Sequence, residues 1–452
     1  MERSEGRTRW RRVALAVLLA VASWVPATPA VASDGAPGAA SVRTSGFESE
    51  NVVTLTFDAG SDDGDVARIL DVLRAERVPA GFGLTGRFVE QFPASARAIA
   101  AGGHTIFNHS YSHPDFTTLT QAQRFAELDR TEAAFRAAGL RTAGWFRAPY
   151  KAGYADPGLN RDLALRGFYL NVDWTYDTTG YTGASVSTIL SRVRTYTRPG
   201  TIVLGHVGAA STDAEALPDV IRTLRGMGYR FTDPSRTLTY GAVRGRYDGS
   251  HFLGAPRTLE LPAGTGQVQW FDVGRIYWSA ATGAWEVYGA ILGAYARHAD
   301  SAGHLGFPVT GELPARDAVG RYQHFQAGSI HWSPVTGAFE THGAIRGTWA
   351  RLGWDAGFLG YPTTDETGTP VKPGAYHHFQ GGSVFWSPAT GAWEVHGAIR
   401  GKWFELGREN SVLGFPTSDE YASADGQRSD FEHGYITWTA SAGAVVHVTS
   451  KG

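Results

Sequence analysis

A β-strand is predicted by the run VVTLTFDAG at residues 52–60, which is rich in β-branched and aromatic residues and ends at Asp58. A helix is predicted directly after it, because Val66, Ile69, Leu70 and Leu73 recur at helical spacing. The same two patterns alternate along the chain, with strands predicted at 80–84, 145–147, 169–174 and 201–204 and helices at 121–138 and 185–196. Alternating strands and helices predict an α/β domain with a parallel sheet, open or closed as a barrel, over residues 51–237.

The second half of the chain is a sequence repeat. The motif Leu-Gly-Phe/Tyr-Pro occurs at 305–308, 359–362 and 413–416, with a weaker copy at 253–256, and a tryptophan recurs in the same register at 278, 332, 386 and 438. A Pro- and Gly-containing turn follows Trp332 and Trp386, at 333–338 and 387–392, and predicts a β-hairpin. Short helices are predicted at 343–352 and 397–406. Residues 238–452 therefore predict about four hairpin-and-helix units that stack on one another, each too small to be stable alone.

The N-terminus predicts a secretory signal peptide at residues 1–32. A start with five arginines precedes the apolar run Val13–Val25, and Ala30-Val31-Ala32 offers a small-residue cleavage site. The apolar run is shorter than the roughly 20 residues of a membrane span. Residues 33–50 are Ala-, Gly- and Ser-rich and predict a flexible linker. We therefore expect a secreted, extracellular protein that has no contact with the membrane after cleavage.

Composition excludes several classes of protein. The 452 residues contain no Cys, 42% are hydrophobic, and the formal net charge is −2. This excludes a disulfide-stapled mini-protein and thiolate catalysis, and argues against a nucleic-acid partner. Nothing in the sequence indicates an oligomer, and a monomer is expected.

Several polar residues follow the predicted strands: Asp58, the pair His109 and His113, Arg147 with Tyr150, and His206. The carboxyl ends of parallel strands are where active groups gather. If residues 108–113 are helical, His109 and His113 are i, i+4 neighbours and can face one ion. Two imidazoles and a carboxylate are a common ligand set for Zn²⁺.

The order of these motifs resembles the polysaccharide deacetylase family, carbohydrate esterase family 4. The motifs are TFD-x-G at 56–60, HSxxH at 109–113, RxPY at 147–150 and the late His206 after an apolar strand. The resemblance covers about residues 51–237. It implies a distorted, incomplete (β/α) barrel that removes N- or O-acetyl groups from sugar polymers.

The resemblance also implies a role for each motif. Asp58 would be the general base that activates water, and Arg147 would orient and ionise it. His109 and His113 would bind a divalent metal, with Zn²⁺ expected and Co²⁺ or another divalent ion as the alternative. Such an ion polarises the amide carbonyl, which is a poor electrophile.

The remaining two motifs would serve the later steps of the reaction. The backbone N–H of Tyr150 would help to hold the oxyanion. His206 would be the general acid, which is needed because an amide anion is not a possible leaving group at neutral pH.

The metal motif departs from the family pattern at one position. Ala59 stands where the family has an Asp as the third metal ligand. We expect Asp62, three residues later in the same loop, to take its place.

The fourth family motif departs at two positions. Gly180 stands where the family has an Asp that pairs with the acid histidine, and Tyr181 replaces a groove tryptophan. His206 would then have an altered pKa, or Asp177 would substitute for the missing Asp. Trp174 and Tyr181 are the expected substrate-binding residues.

The second half resembles the LGFP-repeat family of exported actinobacterial proteins, which implies retention at the cell wall. Trp285, Phe339 and Trp393, at one hairpin position, are the expected sugar-stacking residues. The two resemblances together predict an enzyme that removes N-acetyl groups from peptidoglycan while its repeats bind the wall polysaccharide. Two alternatives remain open: a non-catalytic wall-binding protein on a deacetylase fold, and an O-acetyl esterase acting on another polysaccharide such as xylan.

Overall fold

The computed structural model describes residues 36–47, 50–60 and 62–449. The chain divides into two compact units, Met1–Pro37 and Gly38–Gly452. The predicted signal peptide, residues 1–32, lies outside the described residues. Among the helices that are described, none is both long and apolar enough to span a membrane.

A parallel sheet of nine strands forms the first half of the second unit, in the order β1-β6-β5-β4-β3-β2-β8-β7, with β9 paired to β2. Helices accompany it, as in the predicted incomplete (β/α) barrel. β1 lies within the segment expected to be a flexible linker, and this expectation is wrong for residues 41–43, whose backbone pairs with β6 at the sheet edge. The strands are β1 (Ser41–Arg43), β2 (Val52–Ala59), β3 (Ala80–Leu84), β4 (Thr105–Asn108), β5 (Trp145–Phe146), β6 (Leu170–Val172), β7 (Tyr176–Asp177), β8 (Thr201–His206) and β9 (Arg230–Phe231).

The helices pack by apolar faces that the sequence pattern predicts. α1 buries Val66, Ile69 and Leu73, and a capping box between Thr120 and Gln123 starts α4. Leu128 and Phe135 of α4 are buried, and Phe125 on the same helix is half-buried, with the Arg166 guanidinium 4.0 Å from its ring centre. The helices are α1 (Val66–Glu76), α2 (Gly86–Gln91), α3 (Pro93–Ala101), α4 (Gln121–Ala137), α5 (Pro157–Leu165), α6 (Val186–Tyr196), α7 (Asp213–Gly226) and α8 (Pro234–Thr237), with short 3-10 turns at Phe116–Thr118, Pro149–Lys151 and Gly180–Thr182.

Each repeat contains the predicted hairpin and a helix, and two further strands extend the hairpin to an antiparallel sheet of four. The first two sheets are β10 (Leu261–Ala263), β11 (Gly266–Trp270), β12 (Gly274–Ser279), β13 (Gly283–Tyr288) and β14 (Leu313–Pro314), β15 (Arg321–Phe325), β16 (Gly328–Ser333), β17 (Gly337–His342). The last two are β18 (Thr367–Gly368), β19 (Ala375–His378), β20 (Gly382–Ser387), β21 (Gly391–His396) and β22 (Tyr421–Ser423), β23 (Gly426–Phe431), β24 (Gly434–Thr439), β25 (Gly443–Val448). The helices are α9 (Gly241–Tyr247), α10 (Gly289–Arg297), α11 (Gly343–Arg351) and α12 (Gly397–Glu405), with 3-10 turns at His251–Leu253, Asp300–Ala302, Trp354–Ala356 and Arg408–Asn410.

The LGFP motif joins one repeat to the next. Its leucine and aromatic residue are buried in all three full copies. The glycine of the motif has a positive φ, +66° at Gly306, a conformation that favours glycine. The carbonyl of this glycine faces the preceding helix. There Tyr295 of α10 donates to the Gly306 carbonyl at 2.7 Å, and Trp349 and Trp403 make the same bond to the next two motifs at 3.1 Å. One hydrophobic core accordingly runs across the boundary between neighbouring repeats.

The first repeat is hydrogen-bonded to the parallel sheet. Trp145, fully buried at the start of β5, donates from Nε1 to the carbonyl of Pro256 at 2.6 Å. Gln269 of β11 donates to the carbonyl of Leu238 at 3.0 Å. The sheet and the first repeat are therefore packed directly against each other.

Candidate active site

The register of the sheet brings the predicted residues to one edge. Asp58 on β2 is paired with His206 on β8. On the other side of β2, Leu84 of β3 pairs with Asn108, and Asn108 pairs with Phe146. His109 and Arg147 follow these last two residues, so both lie at the carboxyl edge beside Asp58.

Asp58 is the centre of a buried cluster. Nη1 of Arg147 donates to Oδ1 of Asp58 at 2.8 Å, and Nε2 of His109 lies 3.4 Å from Oδ2. A side chain at Gly83 would come within 2.5 Å of the Asp58 carboxylate, so only glycine leaves room for it. Arg147 is fully buried and is held by Thr56 and by the carbonyl of Val172.

This environment keeps Asp58 ionised. Burial alone would raise the pKa of Asp58, but the charges of Arg147, His109 and His206, with the Arg147 hydrogen bond, lower it below its ordinary value. A buried carboxylate that stays charged and close to two imidazoles is suited to accept a proton.

The two histidines of the HSxxH motif meet through a loop. Residues 109–113 are non-helical, and Ser110 and His113 have positive φ angles of 66° and 61°, so the two histidines are not neighbours on a helix. Ser110 Oγ accepts from the backbone N–H of His113 at 3.0 Å. The turn leaves the His109 and His113 rings 4.8 Å apart, centre to centre.

Glu127 of α4 fixes this loop, which the sequence pattern did not indicate. Its Oε2 accepts the backbone N–H groups of Tyr111 and Ser112 at 2.8 and 2.7 Å, and its Oε1 accepts from Ser112 Oγ at 2.8 Å. An acceptor reaching from a neighbouring helix has no local sequence signal, because it lies 14 residues beyond the motif.

The donor chemistry of His109 and His113 fits a divalent metal ion. Nδ1 of His109 donates to the Arg147 carbonyl at 3.0 Å, which leaves Nε2 with its lone pair directed toward Asp58. Burial lowers the pKa of His109, and burial with the neighbouring His109 lowers the pKa of His113 to about 4, which favours the neutral form that metal ligation requires.

In the structure the Asp62 carboxylate accepts hydrogen bonds from the backbone. Its Oδ1 accepts the backbone N–H groups of Ala209 and Gly64 at 2.7 and 3.0 Å, which ties the loop after β2 to the loop after β8. Within residues 36–47, 50–60 and 62–449, the groups of three side chains spaced to hold one metal ion do not include Asp62 with His109 and His113. The assignment of Asp62 as third ligand stays a prediction.

His206 has a carboxylate partner that the sequence did not indicate. Asp213, at the start of α7, lies with Oδ2 3.7 Å from Nδ1 of His206 and accepts the His206 backbone N–H at 2.9 Å. Burial lowers the pKa of His206, but Asp213, Asp58 and Asp177 outweigh it and raise that pKa above its ordinary value. Asp177, the expected substitute, instead accepts the backbone N–H of Thr179 at 2.7 Å.

Gly180 and Asp213 are complementary in space. A Cβ at Gly180 would lie 2.5 Å from both carboxylate oxygens of Asp213. Gly180 has no side chain at the position where the family has an Asp, and the carboxylate of Asp213 occupies the space that a side chain at position 180 would need. Sequence comparison at position 180 could show the loss but not its replacement 33 residues later.

The three remaining site residues lie around this centre. Tyr150 is 69% exposed, has a positive φ of 59°, and its ring lies 4.5 Å from that of His113. Tyr181 is 55% exposed and its ring lies 4.8 Å from that of His206. Trp174 is half-buried, with Lys151 Nζ 5.0 Å from its ring centre. Two exposed aromatic rings thus lie beside the two histidines.

Comparison with known proteins agrees with this arrangement. The polysaccharide deacetylase family model matches residues 46–163, and the LGFP repeat model matches 253–303, 305–357, 359–411 and 413–449. The peptidoglycan-N-acetylglucosamine deacetylase of Bacillus cereus is 33% identical over 193 residues, which are 41% of this chain and 68% of that protein.

Two further relatives are similar over the same half. The peptidoglycan-N-acetylmuramic acid deacetylase PdaA of Bacillus subtilis is 32% identical over 41% of this chain and 71% of its own length. A chitooligosaccharide deacetylase of Rhizobium leguminosarum bv. trifolii is 35% identical over 36% of this chain and 74% of its own. A parallel half-barrel with a buried Asp–Arg pair and two histidines at its carboxyl edge defines a class of hydrolases. The chain belongs to the polysaccharide deacetylase family, and carries LGFP repeats after the deacetylase domain.

Proposed function

We propose that this chain removes N-acetyl groups from the amino sugars of peptidoglycan-like cell-wall glycan, outside the cell. The observation that supports this best is the buried Asp58–Arg147–His109 cluster with His206 on the adjacent strand. It offers a base and an acid at neighbouring strand ends. The two Bacillus relatives are named for peptidoglycan amino sugars, which favours that substrate over chitin or xylan.

In this proposal a divalent ion, Zn²⁺ by preference, is held by His109 and His113, with Asp62 as the third ligand. When bound, it polarises the acetyl carbonyl and promotes ionisation of water. Asp58 accepts the proton of the attacking water, and Arg147 keeps its carboxylate ionised and oriented.

The remaining residues would act in the second half of the reaction. The Tyr150 backbone N–H stabilises the oxyanion. His206, whose pKa Asp213 helps to raise, donates a proton to the departing amine. Tyr181 and Trp174 contact the sugar. Asp213 is here a positioning residue, since it acts through His206.

The repeats are proposed to hold the enzyme on the wall polysaccharide. Trp285, Phe339 and Trp393 are half-buried, and an arginine guanidinium lies 4.5, 6.0 and 5.8 Å from their ring centres. A cavity of about 190 Å³ in the second repeat, with Tyr322, Arg346 and Trp354 in its wall, offers aromatic and charged groups together. Co-sedimentation with purified wall tests this: loss of binding in Trp354→Ala with Trp285→Ala unaffected would assign the cavity, and the reverse would assign the hairpin position.

The deciding experiment for the enzyme is acetate release by the chain from residue 33, on peptidoglycan, N-acetylglucosamine oligomers and acetylated xylan. Metal-dependent release from peptidoglycan that is lost in Asp58→Asn supports the proposal. Release from xylan alone would make the chain an O-acetyl esterase. No acetate from any substrate, with wall binding intact, would make it a binding protein on a deacetylase fold.

A further inference from the structure

A second cluster of metal-ligating side chains lies in the repeats, where α10 of the first repeat meets the second and third. We call it the first junction: His298, His304, Glu340, His342 and Asp365. Two groups of three within it, His304–Glu340–His342 and His298–Glu340–Asp365, offer ligand atoms that all lie within 4.8 Å of one another. The two groups share Glu340, so they adjoin each other at that carboxylate.

The equivalent positions 54 residues later, which we call the second junction, provide an internal comparison for the first junction. At the second junction Glu394, His396 and Asp419 stand where Glu340, His342 and Asp365 stand in the first. Nδ1 of His342 lies 2.9 Å from Glu340, and Nδ1 of His396 lies 2.9 Å from Glu394.

The aspartates also match. Asp365 accepts the Glu340 backbone N–H at 3.0 Å, and Asp419 accepts the Glu394 backbone N–H at 3.1 Å. The glutamate–histidine–aspartate set is therefore a structural element common to both junctions.

The difference between the junctions is two imidazoles. Position 298 is matched by Leu352 and position 304 by Phe358. The Phe358 ring lies 4.7 Å from that of His396, and the His304 ring lies 4.6 Å from that of His342. Since leucine and phenylalanine satisfy the packing in the second junction, packing does not require the two histidines of the first.

The extra imidazoles face the carboxylates. Nε2 of His304 lies 3.8 Å from Glu340, and Nε2 of His298 lies 3.2 Å from Asp365. Nε2 of His298 is shielded from solvent, and Glu340 is only 1% exposed. Three imidazoles around two carboxylates, one of them fully buried, are ligands preferred by Zn²⁺.

We propose that the first junction binds one divalent transition-metal ion, of the Zn²⁺ class, at Glu340, and that the second junction does not. The ligands come from His304, Glu340 and His342, with His298 and Asp365 adjoining them at the Glu340 carboxylate. Because these residues belong to three successive repeats, the ion fastens the array at this point and stabilises it against unfolding. This site is separate from the one proposed at His109 and His113.

The test exchanges the two junctions in the whole chain. His298→Leu/His304→Phe gives the first junction the residues of the second, and Leu352→His/Phe358→His does the reverse. Zn²⁺ bound per chain is measured by titration calorimetry after chelator treatment, together with the shift in melting temperature that Zn²⁺ produces. A background of His109→Ala/His113→Ala removes the deacetylase ligands from the count.

In that background we expect about one Zn²⁺ per chain. The count should fall to none in His298→Leu/His304→Phe, with the melting-temperature shift lost, and rise to two in Leu352→His/Phe358→His. An unchanged count in folded His298→Leu/His304→Phe would overturn the proposal. If that variant does not fold, the second exchange decides: one further ion supports the site, and none overturns it. Acetate release by wild-type chain and by His298→Leu/His304→Phe should be equal, so failure of the deacetylase proposal would not be mistaken for failure of this one.

Discussion

The two halves of the molecule use their residues in opposite ways. In the deacetylase domain each functional residue occurs once, and the sheet collects them from β2, β4, β5, β8 and their loops, up to 148 positions apart from Asp58 to His206. In the repeats the same contacts recur at a fixed interval, as in the bonds of Tyr295, Trp349 and Trp403 to successive LGFP glycines. Loss of one residue should therefore abolish function in the first half and only weaken structure in the second.

The largest effect is expected for Asp58→Asn. The change removes the proton acceptor and leaves Arg147 buried without its partner, while the shape is kept. Loss of a general base lowers the rate by about 10²–10⁴-fold. Acetate release from peptidoglycan measures it, and metal content and melting temperature serve as controls. Activity within threefold of wild type would exclude Asp58 as the base.

Asp213→Asn should have the next largest effect, a shift in the pH dependence of kcat/KM. Asp213 helps to raise the pKa of His206, and His206 must be protonated to act as an acid. Loss of the charge lowers that pKa, so the alkaline limb of kcat/KM should move to lower pH. We expect roughly a 10-fold loss at alkaline pH for each pKa unit, with little change on the acid side.

An exchange of the two positions sharpens this test. Gly180→Asp alone should reduce activity and stability, because its side chain would overlap Asp213. Gly180→Asp with Asp213→Gly restores the family arrangement and should recover activity relative to either single variant. No recovery, with the double variant folded, would show that Asp213 does more than pair with His206.

In the repeats, His331→Phe should remove part of the acid sensitivity. His331 is buried with both ring nitrogens unpartnered, and burial lowers its pKa well below 6.5. A histidine of lowered pKa contributes stability that is complete above the unfolded pKa of about 6.5 and is lost as pH falls below it, by about 2 kcal/mol at pH 5. Phe385 occupies the matching position of the next repeat.

Urea unfolding at pH 5 and pH 7.5 measures this change. The difference in unfolding free energy between the two pH values should be about 2 kcal/mol smaller in the variant. An equal difference would mean that His331 is protonated or hydrated in the folded state. Phe385→His is the reciprocal variant and should add acid sensitivity.

The smallest effect is expected for Gly306→Ala. The φ of +66° and the approach of a Cβ to 2.5 Å from Gln326 Oε1 both disfavour alanine. We expect a loss of about 1 kcal/mol, as is typical where glycine adopts this conformation. Gly347→Ala, within α11 and with open space around it, is the matched control and should be neutral or stabilising. Equal effects of the two changes would contradict the role of the LGFP glycine.

Periodic patterns in the sequence predicted the helices and strands. Contacts between residues of different elements leave no such pattern, and they were not predicted. β3 was predicted residue for residue, and α4 and α6 to within one residue, because spacing within one element determines which face is buried. The i, i+4 spacing of His109 and His113 is compatible with a helix, but it cannot distinguish a helix from a loop with two positive φ angles, which is what the structure has. Asp213 and Glu127 were missed because each acts across space on a motif of another element. Parallel strands share their carboxyl edge, and for this reason the structure brings together Asp58, His109, Arg147 and His206.

The hydrogen bond from Trp145 to Pro256 has a consequence for where the enzyme can work. Trp145 begins the strand that leads into Arg147, so this bond joins the strand that carries Arg147 to the first repeat. An enzyme that binds a polymer through a repeat packed against its catalytic domain reaches fewer positions around the binding point than an enzyme on a flexible linker does. If the repeats bind the wall as proposed, each docking event would place the active site at a set distance from the bound repeat, and the spacing of accessible acetyl groups along the glycan would become a selective property of the enzyme.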